Sequence, residues 1–263
     1  MGESRDTARQ VTVAASAVIA IIGSFVGSGA AGGTPIQDAA GGALAANATL
    51  IAPATPAFAI WGVIYLGLVA YAVWQFLPGQ SAASRQRRIG YWVAASLILN
   101  AAWILSIQYN LLALSVPIIV ILLAVLLRIF IELSASAPSS RLDALLTDGS
   151  LGLYLGWVAI ATAANVTAFL VAIGFGGFGL PPALWSVVVI AVAALAGVAL
   201  AVHGRGRIAP ALSLSWGLAW VAVGRLAGEP ASTVTGVAAI AAVVIVLASA
   251  IIVRTRSGSP VRG

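Results

Sequence analysis

Long apolar runs, separated by short stretches of turn residues, follow one another along the whole chain. Each run is close to the roughly 20 residues that an α-helix needs to cross the hydrocarbon core of a bilayer. Glycine and proline mark most of the breaks, and the least marked one, at Tyr109 and Asn110, is typical of a tight helical hairpin. The pattern predicts eight membrane-spanning helices, at residues 11–31, 56–77, 90–109, 111–133, 148–173, 183–202, 208–227 and 232–253.

The composition favours an all-α polytopic membrane protein. Of the 263 residues, 61% are hydrophobic and only 8% are charged, a balance that soluble globular domains do not have. The chain has no cysteine, so disulfides, thiolate metal sites and cysteine nucleophiles are excluded. The formal net charge of +6 comes from arginines that flank the apolar runs, and we therefore expect the lipid bilayer and no nucleic acid as a partner.

The arginines predict the orientation of the helices. With eight spans, twelve of the thirteen arginines fall on one side, and Arg225 alone lies near the other. Basic residues concentrate on the cytoplasmic side of membrane proteins, so we predict that both termini are cytoplasmic, in what we expect to be a bacterial inner membrane. The first run is long for a signal peptide and further spans follow it, so we expect it to be a retained helix.

The loop between the first two runs, residues 32–55, is long, rich in small residues and free of basic ones. The predicted orientation places this loop on the external side. It could act as a lid over a pocket, or it could be an unstructured connector.

Ionisable residues are nearly absent from the apolar runs. Arg128 and Glu132 are four residues apart, close enough to pair at the end of a helix. Asp148 opens the fifth run, where a carboxylate favours a helix N-terminus. His203 is the only histidine, and one histidine without cysteine cannot form an ordinary structural zinc site. We therefore expect no metal site, no catalytic residues and no ion-coupled pump.

Two runs each combine a tryptophan with an asparagine, Asn100 with Trp103 in the third run and Trp157 with Asn165 in the fifth. An asparagine is costly in hydrocarbon unless its amide finds partners, and a tryptophan offers a large flat wall with one donor. The two pairs favour an internal site for a planar apolar ligand. The alternative is structural, with the tryptophans packing and the asparagines bonding between helices.

Two pairs of glycines, Gly23 with Gly27 and Gly152 with Gly156, have the small-xxx-small spacing that lets helices approach closely. We expect these contacts within the bundle, and a homodimer is the alternative.

Three sequence elements resemble the TspO/MBR family, the tryptophan-rich sensory proteins related to the translocator protein, or peripheral benzodiazepine receptor. Residues 99–103, Leu-Asn-Ala-Ala-Trp, are similar to the family's third-span Leu-Asn-x-x-Trp element. Residues 154–158, Tyr-Leu-Gly-Trp-Val, together with Asn165 resemble its fifth-span run and the asparagine eight residues after the tryptophan. The family's proline-led Phe…Trp-x-x-x-Tyr element of the second span resembles Pro56, Phe58, Trp61 and Tyr65.

The resemblance covers residues 11–170, and the last three runs have no counterpart in the family's five-helix core. It implies a TspO-like five-helix domain at residues 1–175 and a three-helix extension at residues 176–263. It also implies a non-enzymatic receptor or carrier that requires no cofactor and binds a hydrophobic planar ligand, with porphyrin or haem as the candidate. The implied pocket lies among the first five helices, and its residues are Trp61, Tyr65, Asn100, Trp103, Tyr154, Trp157 and Asn165.

Other functions stay open at this point. A transporter of a small uncharged or lipophilic solute is the main alternative. A porphyrin-modifying enzyme is less favoured, because the apolar runs offer no general base. A purely structural membrane protein is the last alternative.

Overall fold

The computed structural model describes residues 2–77 and 79–257. Within them the chain forms eight long helices and no strand, which confirms the all-α prediction and gives one helix for each predicted run. The helices are α1 (Gly2–Gly27), α2 (Ile60–Trp74), α3 (Ser84–Gln108), α4 (Leu112–Ser134), α5 (Ser150–Ala172), α6 (Pro182–His203), α7 (Ile208–Ala227) and α8 (Thr233–Ser257). Pro78, at the second break, and Arg262, one of the arginines used for the orientation, lie outside the described residues.

Seven helices of the described chain are long and apolar enough to cross a membrane. The exception is α7, which has 20 residues but includes Pro210, Ser213, Ser215 and Arg225. All four of these residues are buried inside the protein. The helix therefore has the length of a span, and its polar groups are enclosed by protein rather than by lipid.

Several helix starts differ from the prediction; α2 begins at Ile60 rather than at residue 56, and α3 begins at Ser84 rather than at residue 90. The first helix begins at Gly2 rather than at residue 11, because Asp6, Arg9 and Gln10 are buried against neighbouring helices instead of ending the helix. The fifth is preceded by a helical turn, Arg141–Asp143, and a π-helical segment, Ala144–Gly149. Short 3-10 helices occupy the loops at Ala40–Gly42, Thr55–Ala59 and Gly177–Gly179.

The chain divides into two compact units. Unit 1 comprises Met1–Leu44 and Ala59–Leu151, and unit 2 comprises Ala45–Phe58 and Gly152–Gly263. The boundary between the units falls near the start of α5. The predicted division at residue 175 concerns the extent of a family core rather than packing, and it stays a prediction.

In unit 1, α3 packs against both α1 and α4, and α1 also contacts α2. Glycines set the distance between α1 and α3. A Cβ placed on Gly23 would lie 2.8 Å from Ala101 Cβ, and one on Gly27 would lie 2.8 Å from Ile104 Cγ2. The first glycine pair is thus used for close packing inside this unit, as expected.

In unit 2, α8 packs against both α6 and α7. The second glycine pair faces α7: a Cβ on Gly152 would lie 2.9 Å from Ala209 Cβ, and one on Gly156 would collide with the carbonyl oxygen of Pro210. The expectation of close contacts within the protein is therefore confirmed for both glycine pairs.

Ion pairs fix the ends of helices in unit 1. Arg85, at the start of α3, donates from Nη1 to Asp143 at 3.0 Å and from Nη2 to both carboxylate oxygens of Asp148, at 2.6 and 2.7 Å. Asp148 therefore has an arginine partner that the sequence did not indicate. The predicted pair between Arg128 and Glu132 is confirmed, with 2.5 Å between Nη2 and Oε1.

We expect Gly23→Ala to destabilise the protein, because its methyl group would overlap Ala101. Overpacking of this kind typically costs about 1–3 kcal/mol, and it would lower the unfolding temperature in detergent. The matched control is Gly62→Ala, a helical glycine whose Cβ would meet nothing within 4 Å. That change should leave stability unchanged or raise it by up to about 1 kcal/mol, because alanine is the better helix former. Equal unfolding temperatures for the two variants would contradict the packing.

Candidate ligand-binding site

Trp61 and Tyr65 form an aromatic face on α2. They are one helical turn apart, and their rings stack with centroids 5.3 Å apart at an interplanar angle of 24°. Both side chains are only partly buried. A stacked pair of this kind offers a flat apolar surface to a planar group.

The hydroxyl group of Tyr65 joins three helices of unit 1. It accepts a hydrogen bond from Asn100 Nδ2 of α3 at 2.6 Å, and it also bonds to the hydroxyl group of Ser24 on α1. Ser24 was not among the predicted site residues. Its place beside Gly23, on the part of α1 that approaches α3, is the sequence signal that could have indicated it.

The amide of Asn100 is only half satisfied. The residue is 1% exposed, and its Oδ1 atom has no hydrogen-bond partner among the described residues. A buried acceptor without a donor costs about 1–3 kcal/mol. The bond from Nδ2 to Tyr65 fixes the amide and leaves Oδ1 as a buried acceptor.

Trp103 lies one turn after Asn100 on α3 and is 6% exposed. Its backbone carbonyl accepts a hydrogen bond from Ser106 Oγ at 2.6 Å. Direct contacts thus bring together Trp61, Tyr65 and Asn100, whereas Trp103 is related to them by its position on the same helix as Asn100.

The remaining predicted residues, Tyr154, Trp157 and Asn165, lie on α5 in unit 2, where all three are at most 2% exposed. The ring of Trp157 meets the ring of Phe58 edge to face, with centroids 5.9 Å apart at 79°. Phe58 belongs to the second-span element of the resemblance, but it was not predicted as a site residue.

Residues 45–58, which we call the strap, run along α7 in unit 2. Trp216 Nε1 donates to the carbonyl oxygen of Ala57 at 2.9 Å, and the backbone N–H of Ala54 donates to the carbonyl oxygen of Trp220 at 3.1 Å. The rings of Trp216 and Trp220 contact each other edge to face at 5.6 Å. Trp216, through its indole N–H group, and Trp220, through its backbone carbonyl, therefore hold the strap.

Arg225, the one arginine outside the orientation pattern, fastens the beginning of the strap. Its guanidinium is 1% exposed and donates to the carbonyl oxygens of Ala46 at 2.6 Å, Thr49 at 3.1 Å and Glu229 at 3.1 Å. This part of the 32–55 loop is consequently ordered, and the interpretation as an unstructured connector is wrong for it. A lid role for the loop stays a prediction.

The described part of the chain contains no group of three side chains that could bind a metal ion. The single histidine, His203, is the last residue of α6. The expectation that the protein needs no cofactor stays a prediction.

The sequence model of a family described as TSPO-like protein matches residues 13–251 of the chain. The match includes α6, α7 and most of α8, and it therefore extends farther than the motif resemblance over residues 11–170. No curated protein and no solved structure matches the chain.

We expect Arg225→Gln to free the strap. Because the chain has no cysteine, a single Thr49→Cys substitution reports on the strap: Thr49 is 6% exposed, so a thiol there should react slowly with a maleimide. Losing a bond to a charged donor is worth about 1.5–3 kcal/mol, so Arg225→Gln should speed labelling at least about tenfold in detergent. The exposed Arg256 gives the control, Arg256→Gln, which should leave the rate unchanged. Equal rates in the two backgrounds would contradict the fastening role.

Proposed function

The chain belongs to the TSPO-like protein family, and on this premise we propose that it is an integral membrane receptor or carrier for a hydrophobic planar ligand of the tetrapyrrole class. The family and the seven membrane-spanning helices establish a TspO-type membrane protein. The ligand class comes from the aromatic and amide groups of unit 1 and from the resemblance of the motifs.

The observation that carries the proposal is the unpartnered Oδ1 atom of Asn100 beside the stacked pair of Trp61 and Tyr65. A tetrapyrrole has an extended apolar face and polar groups at its edge. The face suits stacking on aromatic rings, and an edge N–H or O–H group would satisfy the buried amide oxygen. Small-molecule binding sites typically combine aromatic walls with a small number of polar groups that point toward the same place.

We propose a binding role rather than an enzymatic one. The contacts around Tyr65 consist of hydroxyl groups and one amide, from Ser24 and Asn100. None of these groups is a proton acceptor of the strength that general base catalysis at neutral pH requires. Tyr154, Trp157 and Asn165 of α5 stay proposed ligand residues on the strength of their motif and their burial.

The experiment is a titration of the detergent-solubilised protein with protoporphyrin, followed by the absorbance of the porphyrin so that the signal does not depend on the number of tryptophans. We expect saturable binding, and we expect Asn100→Leu to weaken it about 3- to 10-fold, because one hydrogen bond is worth about 0.5–1.5 kcal/mol. Trp61→Leu should weaken binding by a similar factor through the lost stacking, worth about 0.5–1.5 kcal/mol.

The matched control for the tryptophan is Trp92→Leu. Trp92 lies on α3, is 42% exposed, and should not affect porphyrin affinity. Affinities that are the same in the parent protein and in the Asn100 and Trp61 variants would reject this site. An absence of saturable binding in the parent protein would reject the ligand class.

A further inference from the structure

Arg9 of α1 is a buried arginine with incomplete bonding. The side chain is 2% exposed and lies against Gly90 of α3, where a Cβ would come within 2.5 Å of Arg9 Cδ. Its Nη2 atom donates to the carbonyl oxygen of Ser81 at 2.9 Å. Its Nε and Nη1 atoms have no hydrogen-bond partner among the described residues.

The positive charge of Arg9 is not neutralised by a carboxylate of its own. The nearest, Asp6, has its Oδ1 atom 3.9 Å from Arg9 Nη1. Asp6 is already bound by Arg87, which donates from Nε at 2.8 Å and from Nη2 at 2.5 Å to the two carboxylate oxygens. Two arginines therefore share one aspartate, and burying the excess charge without a further partner is unfavourable.

Two buried glutamines of unit 1 also each have one polar atom without a hydrogen-bond partner among the described residues. The Oε1 atom of Gln86, on α3, accepts a hydrogen bond from the hydroxyl group of Tyr71, with 2.8 Å between the two oxygens. The Nε2 atom of Gln86 has no hydrogen-bond partner among the described residues. Gln75, which follows α2, donates from Nε2 to the carbonyl oxygen of Gln10 at 3.5 Å, and its Oε1 atom has none within the same range. Both side chains are at most 1% exposed. Because one end of each amide is engaged, turning the amide over would not satisfy the other end.

These groups lie on three neighbouring segments, α1, the end of α2 and the start of α3, and we call them the layer. Gln10, the chain neighbour of Arg9, donates from Nε2 to the backbone of Gln75 at 2.6 Å. Gln86 lies one turn before the glycine that Arg9 packs against. Tyr71, the partner of Gln86, lies within electrostatic range of Arg9, Asp143 and Arg85.

We propose that this layer is a binding site for a small oxyanion of the phosphate class. Arg9 and Gln86 supply three donor nitrogens without a partner and a full positive charge, which suit the oxygens of an anion. The Oε1 atom of Gln75 would accept a hydrogen bond from the O–H group of a hydrogen phosphate. A free phosphate ion and a lipid headgroup share this chemistry, and the enclosure of Arg9 favours the free ion. The site is separate from the one proposed around Asn100 and does not depend on it.

The test is thermal unfolding of the full chain in a non-ionic detergent, with inorganic phosphate against chloride at equal ionic strength. The parent protein should unfold at a temperature that rises with phosphate and saturates, because a ligand of the folded state stabilises it. Arg9→Gln should weaken the apparent phosphate affinity about tenfold or more, as expected for the loss of a charged donor. The matched control is Arg5→Gln, which removes the same charge from an exposed position one turn earlier on α1 and should respond as the parent does.

A second variant, Gln86→Glu, keeps the test decisive if Arg9→Gln fails to fold. Gln86→Glu keeps an acceptor for Tyr71 and places a carboxylate where the missing negative charge would be. It should raise the unfolding temperature in chloride and abolish the response to phosphate. The proposal would be overturned by a parent protein that responds neither to phosphate, relative to chloride, nor to the lipid titration described next, or by an Arg9→Gln protein that responds like the parent.

A parallel titration with short-chain phosphatidylglycerol identifies the source of the phosphate group. A response to inorganic phosphate supports the free ion. A response to the lipid alone, lost in Arg9→Gln, supports the site and assigns it to a headgroup.

Discussion

A polar side chain in a chain that crosses hydrocarbon must find its partner within the protein, because lipid offers none. This constraint explains most of the specific contacts of the molecule. Asn100 donates to Tyr65 of α2, and Arg225 donates to three backbone carbonyls. In both cases the polar group joins segments that are distant in the chain. The few polar residues of the apolar runs therefore determine which segments meet, while the apolar majority determines only that they are helices.

The different roles of the apolar and the polar residues explain which features could be predicted from the sequence. Run length and hydropathy suffice for the number and approximate position of the helices, because a bilayer accepts little else. The glycine pairs were also readable, since close approach requires a small residue at each turn. Asn100 was readable as a residue that needs a partner. Ser24, the other partner of the Tyr65 hydroxyl group, was indicated only by its place beside Gly23, because a serine in an apolar helix can equally bond to its own backbone.

Arg225 shows a second limit of prediction from the sequence. Its partners are backbone carbonyls, which carry no sequence signature, and Ala46 lies 179 residues away along the chain. The arginine count treated charge as a marker of orientation only. Arg9, Arg85 and Arg225 are all buried and bonded within the protein, so the same residue type also serves packing. The prediction that both termini are cytoplasmic rests on the remaining arginines more than on these three.

The strap gives α7, one of the last three helices, a definite structural task. Pro56 and Phe58, which begin the second-span element of the resemblance, lie in the segment that Trp216, Trp220 and Arg225 hold against α7. The helix that falls short of the apolar threshold is thus the one whose polar and aromatic groups order this segment. A helix that holds motif residues in place has to retain those groups, at the expense of hydropathy. The extension of the family match through α7 to residue 251 is consistent with that requirement, because α7 and the strap form one packed structure within unit 2.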